Sequence, residues 1–269
     1  MSEYEPRKYW EDRLSKDFSL GGVGFLGLGL NYNRWLYRVR RHVLLRAIKR
    51  HNINPVNCSV LEVGVGTGFY VTLWQKLGVK NIVGLDITET AVRNLERKYP
   101  EYEFVQGDIS QSLPPMLGKF DIVTALDVLF HITEDYAFNQ AIKNLRMVSH
   151  TGSYILISDL FLRYEVFSSF HQKSRLLQDY VSKLSQQGIS VIDRLPIFCL
   201  MTTPLDCPSS PLMHWWNALL RFLFVTKRAG MQRIMGEVTG AVLFPIEISL
   251  SRFLREGPST ELMICRVTE

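Results

Sequence analysis

Val60-Leu-Glu62-Val-Gly64-Val-Gly66-Thr-Gly68 is the stretch whose residue types and spacing most directly suggest chemistry. Glycines at alternate positions let the backbone turn sharply and approach a ligand closely. A helix starting just beyond them would point its unpaired N–H groups into the same space. Such a turn suits a nucleotide-like ligand, and Asp86, about 20 residues after Gly66, is placed to accept hydrogen bonds from ribose hydroxyls. The dinucleotide fingerprint G-x-G-x-x-G needs a small residue where this chain has Phe69, which disfavours a nicotinamide cofactor. His131, just past an apolar run, titrates near neutrality and is the leading candidate for a general base. Tyr32, Asp159, His171 and His214 are alternatives, and a purely structural role for His131 stays open.

The elements that must position these groups follow from periodicity. Short apolar strands are expected at Ser59–Val63, Ile82–Leu85, Tyr102–Val105, Asp121–Leu126 and Tyr154–Ile157. They alternate with helices at Phe69–Leu77, Glu89–Tyr99 and Glu134–Met147, the pattern of a parallel sheet with crossover helices. A helix is expected over Phe167–Gln186, capped near Gly188, then strands at Ile189–Leu195 and Thr260–Val267, with an irregular insertion between them. Arg7–Asp17 and Tyr32–Arg50 read as helices before the first strand, joined by the glycine-rich Gly21–Gly29. The expected organisation is an N-terminal helical cap or lid (1–55), an α/β core (56–200), an inserted helical lid (201–258) and a last core strand (259–269).

The chain's 269 residues are 46% hydrophobic and 21% charged, values of an ordinary folded domain. Cys58, Cys199, Cys207 and Cys265 are too scattered for a zinc site or a disulfide framework, so no metal is expected and a cytoplasmic location is the default. Met1–Pro6 lacks the pattern of a secretory signal, and Leu20–Leu30 is too short to span a bilayer. A net charge of +5 is concentrated around Arg34, Arg38 and Arg41, one helix face that reads either as solvated surface or as a recruitment stripe.

With the motifs in order, residues Cys58–Leu160 resemble the class I S-adenosylmethionine-dependent methyltransferases. The resemblance implies a Rossmann-like, seven-stranded, mostly parallel sheet with helices on both faces. It further implies S-adenosylmethionine as cofactor, with Glu62, Gly64, Gly66 and Gly68 beside its amino-acid half. Asp86 would meet the ribose, Ile87 the adenine, and Gln106-Gly-Asp108-Ile109 the adenine amine and ring face. Asp121–Ile132 is similar to the fourth strand and its following turn; there Asp127 would contact the cofactor by backbone or side chain, or cap the next segment. Glu62 is either a ligand or a brace for the turn.

For the acceptor, the place of an N-P-P-Y turn reads Leu126-Asp-Val-Leu-Phe, and no cysteine lies at that edge, so nucleic acid is disfavoured. Pro211–Val225 is apolar on nearly every side, which suits core or dimer packing, a greasy pocket, or a membrane surface helped by Lys227 and Arg228. Substrate contacts are expected from Tyr32, Trp35, His131 and Trp215. The expected reaction is methylation, at oxygen, of a small lipophilic or aromatic acceptor by a monomer or homodimer. Protein or RNA methylation and non-catalytic cofactor binding are the alternatives.

Overall fold

Successive apolar side chains on a strand face opposite ways, and here both faces are covered. Val60 joins one buried cluster while Leu61 and Val63 join the other. A computed structural model describes residues 4–114, 117–207, 210–223 and 229–268. Seven strands form one sheet: β1 (Ser59–Val63), β2 (Asn81–Asp86), β3 (Glu103–Gln106), β4 (Phe120–Leu126), β5 (Ser149–Asp159), β8 (Ile189–Pro196) and β9 (Glu261–Val267). Their order is β3-β2-β1-β4-β5-β9-β8. β1 to β5 pair in parallel, and β9 runs antiparallel to both its neighbours. This is the Rossmann-like arrangement the motifs implied.

The helices are α1 (Pro6–Lys16), α2 (Leu20–Val23), α3 (Gly29–Arg50), α4 (Phe69–Lys76), α5 (Glu89–Lys98), α6 (Asp135–Met147), α7 (Leu177–Ser185), α8 (Ser210–Leu223) and α9 (Ala229–Phe253). Side chains of α3, α4 and α5 pack into one cluster and those of α6 and α7 into the other. Local chemistry sets the ends. Thr88 accepts from the Ala91 amide at the start of α5, and Arg97 and Lys98 sit in its last turn, where the helix dipole favours cations.

Two expectations fail. Phe167–Gln186 is not one helix, because a hairpin of β6 (Phe167–Ser169) and β7 (Gln172–Ser174) precedes α7. The serines at 168, 169 and 174 offer the backbone local alternatives to helix, and Arg175 ties the hairpin down through Asp135 and the Ile132 carbonyl. The insertion is also more regular than expected, with α8 and α9 accounting for most of it. Gly230–Phe253 is long and apolar enough to cross a membrane by length and composition. Here it lies along α3, and its buried Glu247 accepts from the Cys199, Leu200 and Met201 amides. Phe224, Val225, Lys227 and Arg228 lie outside the described residues.

Candidate active site

The turn after β1 holds Gly64, Gly66 and Gly68 at φ 71°, 50° and 76°. A side chain at Gly64 would bring its Cβ within 2.5 Å of Val128, and one at Gly68 within 2.6 Å of Leu95. The turn is latched to the end of β2: the Gly64 amide donates to the Leu85 carbonyl at 2.7 Å, and the Gly66 amide to Asp86 Oδ2 at 2.9 Å. Asp86 Oδ1 accepts from the Thr88 amide and hydroxyl at 2.9 and 2.7 Å. Burial raises the Asp86 pKa, and these donors pull it back towards the carboxylate. At the next strand end, Asp108 Oδ1 accepts from the Ser110 amide and hydroxyl.

Gly64, Gly66, Asp86, Ile87, Asp108, Ile109, Asp127 and His131 line one cavity of about 790 Å³ at the carboxyl edge of the sheet, where open α/β sheets bind ligands. Glu62 and Gly68 lie behind its wall. Glu62 is buried and accepts from Trp74 Nε1 at 3.0 Å and from the Thr124 hydroxyl, so it braces β1 against α4 and β4. Burial pushes its carboxyl up to about 7. Gly68 opens α4 and clears Leu95.

Asp127 adopts φ 60°, a left-handed conformation that aspartate tolerates better than most residues. Its amide donates to Ser158 Oγ, which donates back to Asp127 Oδ1. Oδ2 takes a 2.6 Å ion pair from Arg40 Nε on α3. The Arg40 guanidinium lies over the Tyr37 and Phe198 rings, which shield the pair from water.

His131 closes a short 3-10 turn, and its Nδ1 lies 3.0 Å from the His171 carbonyl oxygen on the hairpin. A carbonyl only accepts, so Nδ1 carries the proton and Nε2 keeps a free lone pair. Burial drives the imidazole down to about 4, so it is neutral at physiological pH. Trp10 stands edge-on to it at 4.8 Å, His171 stacks on it at 5.7 Å, and Tyr9 stacks on His171 at 5.0 Å.

Other expected contacts lie elsewhere. Tyr32 is buried between α3 and α9, donating to the Met201 carbonyl at 3.0 Å. Trp35 packs on Phe244 and under Arg38. Trp215 is 41% exposed, because the inward face of α8 is set by its neighbour Trp216 with Leu219. None of the three lines the cavity. Asp159 is buried against the Tyr180 hydroxyl outside the lining, and His214 stands exposed on α8.

The lining residues that sequence reasoning missed are on α1 and just before it, within the segment expected to form a cap. Tyr4, Tyr9, Trp10 and Arg13 line the cavity, and Arg13 lies over the Trp10 ring at 4.7 Å. Glu11 ties this wall to the start of α5, accepting from the Glu89 amide at 2.8 Å, the Thr90 amide at 3.2 Å and the Thr90 hydroxyl. The available signal was two adjacent aromatics with Arg13 one turn on, in a helix otherwise too polar to be core.

An open parallel sheet with a glycine turn, an acid at the second strand end and another at the third defines an α/β domain for a nucleoside-bearing cofactor. Residues 60–152 match the family described as a methyltransferase domain, and the chain carries a class I S-adenosylmethionine-dependent methyltransferase domain. It is similar over 104 residues to the mRNA cap guanine-N(7) methyltransferase of Schizosaccharomyces pombe, at 30% identity over 35% of this chain and 28% of that protein. The matches to the first curated relatives span only about a quarter to a third of their lengths. Among solved structures, the CcbJ methyltransferase of Streptomyces caelestis superposes at a TM-score of 0.56, with 11% identity over 99% of this chain and 100% of that one. Magnesium protoporphyrin IX methyltransferase from Synechocystis, with S-adenosylmethionine bound, superposes at 0.54, with 17% identity over 72% and 91%. These likenesses share the fold. The cavity residues fit S-adenosylmethionine: Asp86 and Asp108 offer carboxylates that could accept from its hydroxyl and amine groups, and the glycine turn allows close approach.

Proposed function

We propose that the chain transfers a methyl group to an oxygen of a small lipophilic or aromatic acceptor, in a reducing, cytoplasmic setting suited to its four free cysteines. The observation that carries this reading is the cavity wall. Tyr4, Tyr9, Trp10, Phe25, Tyr37 and Phe130 present rings to a concave space roofed by α1, a lining that suits a small aromatic or lipophilic ligand. Arg13 lines the same space without a carboxylate partner among the described residues, whereas Arg40 is paired with Asp127; the Arg13 guanidinium favours a hydroxyl or carboxyl oxygen over a cationic amine.

S-adenosylmethionine, when bound, supplies an electrophilic sulfonium methyl group, so the protein's work is alignment, exclusion of water and proton removal. Asp86, Asp108 and the glycine turn orient the donor, and the rings align the acceptor. His131 Nε2 accepts the hydroxyl proton as the acceptor oxygen takes the methyl group, whose bond to the sulfonium sulfur breaks to leave a neutral thioether. A base with a pKa of about 4 suffices for this, because an alkylated hydroxyl is far more acidic than the free one. Turnover of radiolabelled S-adenosylmethionine with a panel of phenols, hydroxy acids, amines, peptides and RNA tests the proposal. It predicts O-methyl products from the small aromatic members. Labelling of peptide or RNA alone overturns it.

A further inference from the structure

A long helix docked on a soluble domain normally turns its apolar side inward, but α9 has a second apolar side turned out. Ile234, Val238, Val242 and Ile246 recur every fourth residue, with Met231 before them and Phe253 after them. All six are exposed, from 45% at Ile246 to 85% at Phe253. The opposite side of α9 is the docked one: Gly236 meets Tyr32, Gly240 meets Trp35, and Ser251 accepts from Arg46 at 2.8 Å. On α8, which packs beside α9, Trp215 and Phe222 are exposed as well.

The charge beside this ridge is strongly one-signed. Arg34, Arg38 and Arg41 stand one helical turn apart along the exposed side of α3, and among the described residues none has a carboxylate within ion-pair distance. Arg38 lies over the Trp35 ring at 3.9 Å, and Trp35 in turn touches Gly240 and Phe244, so this stripe borders α9. The exposed charges of α9 itself are Arg233, Glu237 and Arg252.

We infer that the α3–α9 face is a docking surface for an anionic lipid bilayer, with the Ile234–Phe253 ridge immersed at the headgroup boundary and the arginine stripe on the lipid phosphates. An apolar ridge bordered by unpaired arginines is the pattern of an interfacial amphipathic helix. A two-fold contact with a second copy would bring like-charged stripes towards each other, and nucleic acid would leave the ridge in water. Spanning the bilayer would tear Glu247 from the three amides it accepts from. The ridge also begins at the cavity rim, since Gln232 Nε2 donates to the carbonyl of Gly27, a lining residue.

The test is co-sedimentation of the whole chain with phosphatidylcholine vesicles, with and without phosphatidylserine. Binding is expected only to the anionic vesicles, with release by alkaline carbonate. Replacing Arg34, Arg38 and Arg41 together by Ala should weaken binding on the order of a hundredfold, about fivefold per arginine. Ile234→Asp with Val238→Asp should weaken it by roughly tenfold or more. Both ridge positions are exposed, so S-adenosylmethionine affinity serves as the folding control and should not change. Absence of binding to anionic vesicles, binding indifferent to the ridge substitutions, resistance to carbonate, or conversion of a dimer to a monomer by the ridge substitutions would each overturn the inference.

Discussion

Glu11→Ala isolates the role of α1 from the chemistry beneath it. The Glu11 carboxylate caps α5 from a different helix, taking two backbone amides and the Thr90 hydroxyl. Loss of an N-terminal cap costs about 0.5–2 kcal/mol, and removing an anion from a helix N-terminus costs about 0.3–1 kcal/mol more. These contacts are partly exposed, so screening holds the sum to about 1–2 kcal/mol. The other restraints on α1 are its buried Leu14, the ring contacts of Tyr9 and Trp10, and an Arg13 hydrogen bond to the Gly24 carbonyl at 2.8 Å, all of which the substitution leaves in place. That loss increases the open population about five- to thirtyfold. Hydrogen exchange of α1 amides should quicken by this factor while the β1 and β4 amides keep their protection. S-adenosylmethionine should also dissociate faster, because the capped turn follows Asp86 directly. Glu11→Gln keeps one acceptor and should fall between. Unchanged α1 protection together with an unchanged dissociation rate would exclude Glu11 as the latch of α1.

Asp86→Ala should weaken S-adenosylmethionine binding on the order of a hundredfold by calorimetry, since it removes the ribose acid and frees the Gly66 and Thr88 amides it holds. Arg40→Met strands Asp127 without its partner and should lower unfolding free energy by about 3 kcal/mol in denaturant titrations. His131→Ala should cut turnover at least tenfold while donor affinity holds. The wild-type rate should show no histidine limb between about pH 6 and 8, because burial moves that titration to about 4; a limb near 6.5 would contradict the geometry. Glu62 has its folded pKa raised from 4.5 to about 7, so its contribution to stability is full below the unfolded value and lost as pH rises through about 7. Glu62→Gln should therefore flatten stability against pH over that interval in thermal unfolding.

The donor half of the site was legible because main chain builds it. Gly64, Asp86 and Asp108 act at or just beyond strand ends, so strand, turn and acid fall in order along the chain and spacing alone suggests their roles. The acceptor half comes from side chains distant in sequence. Arg40 sits in a row of arginines, and its spacing does not show that it, unlike Arg34, Arg38 and Arg41, turns inward to Asp127. His171 looked like part of a helix until the hairpin put its carbonyl on His131. Trp215 and Trp216 are adjacent, and only the docking of α8 decides which one is buried. Helical period predicts that an apolar face exists, but not which of two apolar faces meets the core.

The contrast between α1 and α3 shows why the roof of such a site should be weakly held. α3 buries nine side chains, including Val39, Val43 and Ala47, and cannot leave without opening the core. α1 buries Leu14 and is held besides by a partly exposed carboxylate, an Arg13 hydrogen bond to the Gly24 carbonyl, and rings that also face the cavity. A roof attached as firmly as α3 would exclude water but would also hold the product, and release often limits turnover in enzymes with closing lids. A roof attached by so few groups, two of them rings facing the cavity, excludes water while the cavity is filled and loses part of its support when the occupant leaves. On that reasoning an occupant packed against the Tyr9 and Trp10 rings would steady α1 and so couple occupancy of the cavity to its closure.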